Sequence, residues 1–381
     1  MPPSSSPSSG ASGSAAFESA ALHLRARAFV QAFESGGYPP ESFDALACDL
    51  ARFQAAHVEG YARLCHAHGV DLKGLDAAAD APAVPTDAFK LTRVSAFPEA
   101  DARLTFRTSG TTLGARGAHA MRDPSTYDAA ALAFGREALT GDREGKLPVL
   151  VIGPSPAALP DSSLTHMIAL FVRELGLPAT DAETYLVSPD GVIDLDAFDQ
   201  RVARAMVDGN DAVLVLGTSF AYVHLLDALG DELFRLPPRS RVMQTGGYKG
   251  RSREVAPEDL KRDLARTFCI EPRRIVSEYG MTELSSQFYE WTVHDPDARP
   301  GLYVEPPWAR VIPVDPDTLA PVAKGEVGIA RIEDLMNVDS AFAVLAADRV
   351  RRVDGGFELL GRAPGAPPRG CSIAIDEMMG K

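Results

Sequence analysis

No run of about 18 apolar residues occurs in these 381, which excludes a membrane-spanning helix. A secretory leader is also missing: Met1-Pro-Pro-Ser-Ser-Ser has no basic segment followed by an apolar one. Cysteine is scarce. Cys48, Cys65, Cys269 and Cys371 are too scattered for a disulfide framework, and none forms a C-x-x-C pair for structural zinc. The expected compartment is the cytosol. Positive charge is in deficit, with 38 Lys and Arg against 52 Asp and Glu and a formal charge of −14. That argues against holding nucleic acid through the bulk field and leaves room only for a local basic pocket. Seven of the 38 basic residues are lysines, so candidate catalytic lysines are quickly enumerated. No period of 20–50 residues repeats, which excludes a solenoid. There is no G-x-S-x-G elbow, no H-E-x-x-H and no Walker G-x-x-x-x-G-K-[ST].

What is present is the composition of an ordinary globular protein, 45% hydrophobic and 24% charged. Residues 1–16, mostly Ser, Gly, Pro and Ala, bury too little apolar surface to order and read as a disordered tail. Residues 17–100 read as a helical section. Leu22, Ala26, Phe29, Val30 and Phe33 recur at helical spacing, as do Phe43, Leu46, Leu50, Phe53 and His57. From about residue 147 strands and helices alternate. Strands are expected at Leu147–Ile152, Thr184–Val187, Ala212–Leu216, Arg241–Gln244 and Arg274–Ser277. Helices are expected at Ser163–Leu175, Leu195–Val207, Ala221–Leu229 and Pro257–Phe268. This predicts an α/β core over 101–345 with a mostly parallel sheet covered on both faces. Gln287–Val293, Ala309–Val314, Val327–Ile332 and Arg349–Leu360 read as β-rich, the last folding at Val353-Asp-Gly-Gly-Phe357. Residues 346–381 read as a short hairpin and a C-terminal arm.

Two stretches carry chemistry. In Arg107-Thr-Ser-Gly-Thr-Thr-Leu-Gly-Ala-Arg-Gly117, hydroxyls and glycine amides suit a phosphate, and Arg107 and Arg116 supply charge. In Ser277-Glu-Tyr-Gly-Met-Thr-Glu283, Tyr279 suits stacking on a base and Gly280 close backbone approach. Thr282 suits a phosphate oxygen and Glu283 a Mg²⁺ ion. Asp348 suits a ribose diol, and Arg362 suits phosphate or ribose oxygens.

These stretches, in this order, resemble the adenylate-forming superfamily, and within it the LuxE-type acyl-protein synthetases. Thr108-Ser-Gly-Thr-Thr112 looks like the phosphate loop, built from Thr108, Ser109, Gly110, Thr111 and Thr112. Tyr279-Gly-Met-Thr-Glu283 looks like the adenylate motif, and Asp348 with Gly361-Arg362 like the ribose-binding Asp and hinge-side Arg. Thr245-Gly-Gly-Tyr-Lys-Gly-Arg251 is similar to the loop beside adenine and the acyl carboxylate; it carries Gly246, Gly247 and the candidate catalytic Lys249. Lys324 is the other candidate. The resemblance implies an adenylate-forming α/β core with a truncated C-terminal domain, since 19 residues follow Arg362. It implies ATP and Mg²⁺ as cofactors, a fatty acid activated as acyl-AMP, and transfer of the acyl group to a protein cysteine. An acyl-accepting partner such as an acyl reductase would follow. Arg116 stands where that superfamily usually has Lys. Cys371, in Arg369-Gly-Cys-Ser372, is the expected acyl acceptor: a thiol on a flexible arm, activated by Arg369. His166 is either a core histidine or part of the acyl pocket. Cys48, Cys65 and Cys269 read as small core residues. An acyl- or aryl-CoA ligase, and a non-catalytic adenylate-binding partner subunit, are the alternatives.

Overall fold

A computed structural model describes residues 9–108, 116–188, 190–246, 255–363 and 368–380. The chain opens on three helices: α1 Ser9–Glu34, α2 Phe43–His57 and α3 Glu59–Ala67. Ser42 caps α2 by accepting from the Ala45 amide. Helix α1 begins inside the stretch expected to be a disordered tail; residues 1–8 lie outside the described residues. Strand β1 Val84–Pro85 and the single turn α4 Ala88–Leu91 follow, then the hairpin β2 Leu104–Arg107 and β3 Ala118–Met121. Helix α5 is Ser125–Thr140, strand β4 Val149–Ile152, and helix α6 Ser163–Leu175. Next come α7 Asp181–Thr184, α8 Leu195–Val207, β5 Leu214–Thr218, α9 Ser219–Leu229, β6 Arg241–Thr245, α10 Pro257–Phe268 and β7 Ile275–Tyr279. The last part holds β8 Phe288–Glu290, β9 Leu302–Val304, β10 Ala309–Val314, β11 Val327–Asp334, β12 Ala343–Val353, β13 Gly356–Arg362 and α11 Arg369–Met379.

One eleven-stranded sheet runs β10-β11-β12-β13-β9-β8-β7-β6-β5-β4, with β1 parallel to β12. Strands β4 to β7 are parallel, and from β7 to β10 each neighbour is antiparallel. The parallel strands read as continuous apolar runs because alternate residues feed two cores. Leu150, Ile152, Val213, Val215, Val242 and Ile275 face one core with α8, α9 and α10. Val149, Val151, Leu214, Leu216, Met243 and Val276 face the other with α5 and α6.

Three expectations are corrected. Thr184–Val187 is not a strand: Thr180 and Glu183 form a capping box that starts α7, which takes in Thr184 and closes with the Tyr185 amide on the Asp181 carbonyl, leaving single bridges at Tyr185 and Val187. The boundary at 345/346 cuts β12, which pairs with β11 on one side and β13 on the other, so the C-terminal hairpin is part of the core sheet. Residues 369–379 form a helix docked on α3, where Arg63 Nε donates to the Met378 carbonyl at 2.7 Å.

The N-terminal helices also brace the far end of the chain. Buried Gln54 donates to the Asn337 and Val338 carbonyls and accepts from the Phe342 amide. Ser19 and His23 of α1 both bond Asp339. The 337–342 segment they hold reaches the site described next.

Candidate active site

Ligands in open α/β sheets gather where parallel strands end at their carboxyl edge. Here β5, β6 and β7 end at Thr218, Thr245 and Tyr279. Gly246 follows with φ 72°, the left-handed region that glycine enters without strain. Tyr279 is 8% exposed, boxed by the rings of Phe288, Tyr303 and Phe357 at 6.0–6.2 Å. Its hydroxyl donates to Asp348 Oδ2 at 3.0 Å, joining two expected site residues 69 positions apart. Asp348 and Arg362 are register partners across β12 and β13. Tyr279, Asp348 and Arg362 therefore meet at one sheet edge.

The loop after β7 is held from three sides. The Thr282 carbonyl lies 2.9 Å from His119 Nδ1, and His119 Nε2 lies 3.0 Å from Ser340 Oγ. Burial drives His119 down to about 4, so the ring is neutral; donation to a carbonyl puts its one N–H on Nδ1, and Nε2 accepts from Ser340. Asn337 Nδ2 donates to the Glu283 carbonyl at 2.9 Å. Asp334 accepts from the Ser285, Ser286 and Met336 amides and from the Ser286 hydroxyl. The Glu283 carboxylate is thereby placed, 6% exposed, on a fixed backbone.

The stem of the expected phosphate loop is the β2–β3 hairpin end. The Thr108 amide donates to the Gly117 carbonyl, and the Gly117 amide to Thr108 Oγ1, both at 2.9 Å. Ser109, Gly110, Thr111 and Thr112, and likewise Gly247 and Lys249, lie outside the described residues. Arg116 is tied back to the loop stem. Its guanidinium donates to the Thr108 and Arg107 carbonyls and to Asp161 Oδ2, closing the stem. His166 is half-buried, paired with Asp128 at 2.7 Å, with the Phe106 and Tyr127 rings at 5.3 and 5.6 Å. Lys324 is an exposed turn lysine paired with Asp354.

Cys371 departs most from expectation. It is 5% exposed in α11, and burial, with the Asp87 carboxylate second, pushes its thiol up to about 11. Arg369 does not activate it. Cys269, expected in a core, is exposed: at φ 55° it ends α10 in the left-handed conformation. Cys48 and Cys65 are buried as expected.

Sequence reasoning gave Glu278 no role. It is buried, accepts from Thr245 Oγ1, and so ties the ends of β6 and β7 together. A Cβ on Gly280 would stand 2.5 Å from Glu278 Oε1, so this carboxyl is one reason for the glycine. An acid on a strand between apolar Val276 and the tyrosine is the signal that marked it.

Burial pushes the Glu278 carboxyl from 4.5 up to about 7, against the Thr245 bond. Between those values the folded chain keeps a proton that the unfolded chain has lost, so Glu278 lowers stability as pH rises, by roughly 3 kcal/mol. His119 acts oppositely: between about pH 4 and 6.5 only the unfolded chain is protonated, so stability rises with pH. The two nearly offset in the intact protein. Glu278→Gln keeps an acceptor for Thr245 and removes one arm, so its urea midpoint should climb with pH across 4.5–7 more steeply than wild type. Parallel midpoint curves for the two proteins would contradict this.

Known proteins resemble this chain in sequence and in fold. The family described as "Acyl-protein synthetase, LuxE" matches residues 42–380. The long-chain-fatty-acid–luciferin-component ligase of Aliivibrio fischeri is 22% identical over 316 residues, 79% of each chain. Among solved structures, 2-hydroxyisobutyryl-CoA ligase in the postadenylation state with 2-HIB-AMP aligns with a TM-score of 0.59 at 14% identity. It covers 84% of this chain and 67% of that one. An open conformation of the same ligase, with 2-HIB-AMP and CoA, gives 0.57 at 13% identity, covering 84% and 74%. The fold is that of the adenylate-forming ligases.

Proposed function

From the premise that this chain belongs to the LuxE acyl-protein synthetase family and is a ligase that activates an acid with ATP, we propose that its substrate is a fatty acid and its acceptor a protein thiol. In the first step a carboxylate oxygen attacks the α-phosphorus of ATP; the bond to the bridging oxygen breaks, and pyrophosphate leaves with the electron pair. In the second a thiolate attacks the acyl carbonyl, the carbon–oxygen bond to AMP breaks, and AMP leaves; the thiol proton passes to solvent. Catalysis of the first step is by positioning and electrostatics.

The observation that carries the reading is the convergence of Tyr279, Asp348 and Arg362 at the edge where the braced Thr282–Glu283 loop begins. Tyr279 offers its ring to adenine and Asp348 its carboxylate to the ribose diol. Thr282 contacts the α-phosphate. Among the described residues no three His, Cys, Asp or Glu gather to hold a metal by themselves. Glu283, a hard oxygen donor on a fixed loop, suits a Mg²⁺ shared with phosphate oxygens. When bound, that ion neutralises phosphate charge.

ATP–pyrophosphate exchange with a panel of carboxylic acids tests the first step. Exchange with long-chain acids supports the reading; no exchange with any acid leaves the non-catalytic subunit. The second step is followed with labelled fatty acid, ATP and Mg²⁺, as hydroxylamine-sensitive label on the protein. Label that passes only to added CoA identifies a CoA ligase, the reading that the burial of Cys371 favours. An acyl reductase is the proposed consumer of the protein-bound acyl group. Among the described residues no helix is long and apolar enough to cross a membrane.

A further inference from the structure

The Arg116 guanidinium gives three of its five N–H donors to the Thr108 carbonyl, Asp161 and the Arg107 carbonyl, so the residue standing where the superfamily has Lys is tied to the loop stem. The fold brings a second cation to the same stem, from a segment unremarked in the sequence. Turn α4 is wedged under the hairpin stem. A Cβ on Gly117 would stand 3.4 Å from Lys90 Cγ, 3.5 Å from Phe89 Cβ and 3.0 Å from Thr108 Cγ2. Phe89 in turn packs edge-on against His119, ring centroids 5.9 Å apart, and His119 bonds Thr282. Lys90 thus sits against the phosphate-loop stem, one residue along the chain from the side chain that backs the adenylate loop. Its side chain is 12% exposed, and its ammonium is held by Asp87 Oδ1 at 2.6 Å.

We propose that Lys90 is the phosphate-binding cation of this active site, and that Asp87 holds it in place for the nucleotide. The inference rests on the ATP-dependent reading above. An ammonium has three donors, so one stays with Asp87 while the others turn to phosphate oxygens. Burial of the lysine stem between α4 and Gly117 limits the positions the head can reach, which lowers the entropy lost on binding. The turn itself is fixed: the Thr86 amide bonds the Leu345 carbonyl of β12, the strand that carries Asp348.

Lys90→Met should raise the Kd for ATP about 10- to 100-fold, the scale of a charge-assisted hydrogen bond, and cancel most of the ATP-induced rise in Tm. The pyrophosphate-exchange KM for ATP should rise by the same factor, with kcat changed less. Lys90→Arg should restore part of the affinity. The double variant Asp87→Asn, Lys90→Met removes the acid left unpaired and should show the same ATP defect with wild-type circular dichroism. Arg116→Met should lower the Tm without ligand and leave the Kd of the folded protein near wild type. Wild-type ATP affinity in the folded double variant, or an ATP defect in Arg116→Met equal to that of Lys90→Met, would overturn the assignment. A wild-type protein that neither binds ATP nor exchanges pyrophosphate would overturn the activation reading itself, and this one with it.

Discussion

Glu283→Gln is expected to slow ATP–pyrophosphate exchange by about 10² or more, the scale of losing one electrostatic stabiliser. The change is nearly isosteric, and it leaves the main-chain bonds that hold the loop in place. Asn337 holds the Glu283 main-chain carbonyl, His119 the Thr282 carbonyl, and Asp334 the amides of Ser285 and Ser286. Folding and the Tyr279–Asp348 contact should survive, so the lost rate reports the missing anion. An amide oxygen is a poorer ligand for a hard cation than a carboxylate, and raising Mg²⁺ should recover part of the loss. Exchange in the variant within a few-fold of wild type would remove Glu283 from the ion's ligands.

Cys371→Ser is expected to abolish the hydroxylamine-sensitive label while leaving pyrophosphate exchange intact, because the thiol takes part only in the second step. The structure adds a kinetic condition. Cys371 lies inside α11, whose Gly370 amide bonds the Pro316 carbonyl and whose Met378 packs against Gly60 of α3. With the thiol pushed up to about 11 by that burial, little thiolate exists at neutral pH and little of the side chain faces solvent. Labelling of Cys371 by iodoacetamide should be slow in the protein alone, and faster once acyl-AMP has formed if the second step draws α11 away from α3. Exposed Cys269 is the internal reference, expected to react at the same rate in both states. Undiminished thioester label in Cys371→Ser would transfer the acceptor role to another thiol. A Cys371 as reactive as Cys269 from the start would contradict the docked helix.

The alternating core was legible in the sequence because its signals are local. Ser163–Leu175, Leu195–Val207, Pro257–Phe268 and Ala309–Val314 need only hydrophobic period and capping residues to be recognised. Tyr279, Thr282, Glu283, Asp348 and Arg362 could be nominated together because their types and order resemble a known motif set. Thr184–Val187 misled because an apolar strand-like run is weaker than the capping box just before it. Cys371 misled because flanking Gly and Arg say nothing about a partner helix 300 residues earlier. Chain-distant contacts likewise hid Glu278 beneath Thr245, His119 behind Thr282, and Lys90 beneath Gly117. By itself the sequence determined the fold class, written in short-range periodicity, and nominated by motif the residues proposed to handle a nucleotide. Which charged and nucleophilic groups are paired, and which are buried, was decided only by tertiary packing, because burial and pairing depend on residues distant in the chain: Arg116 with Asp161, Lys90 with the loop stem, Cys371 with α3.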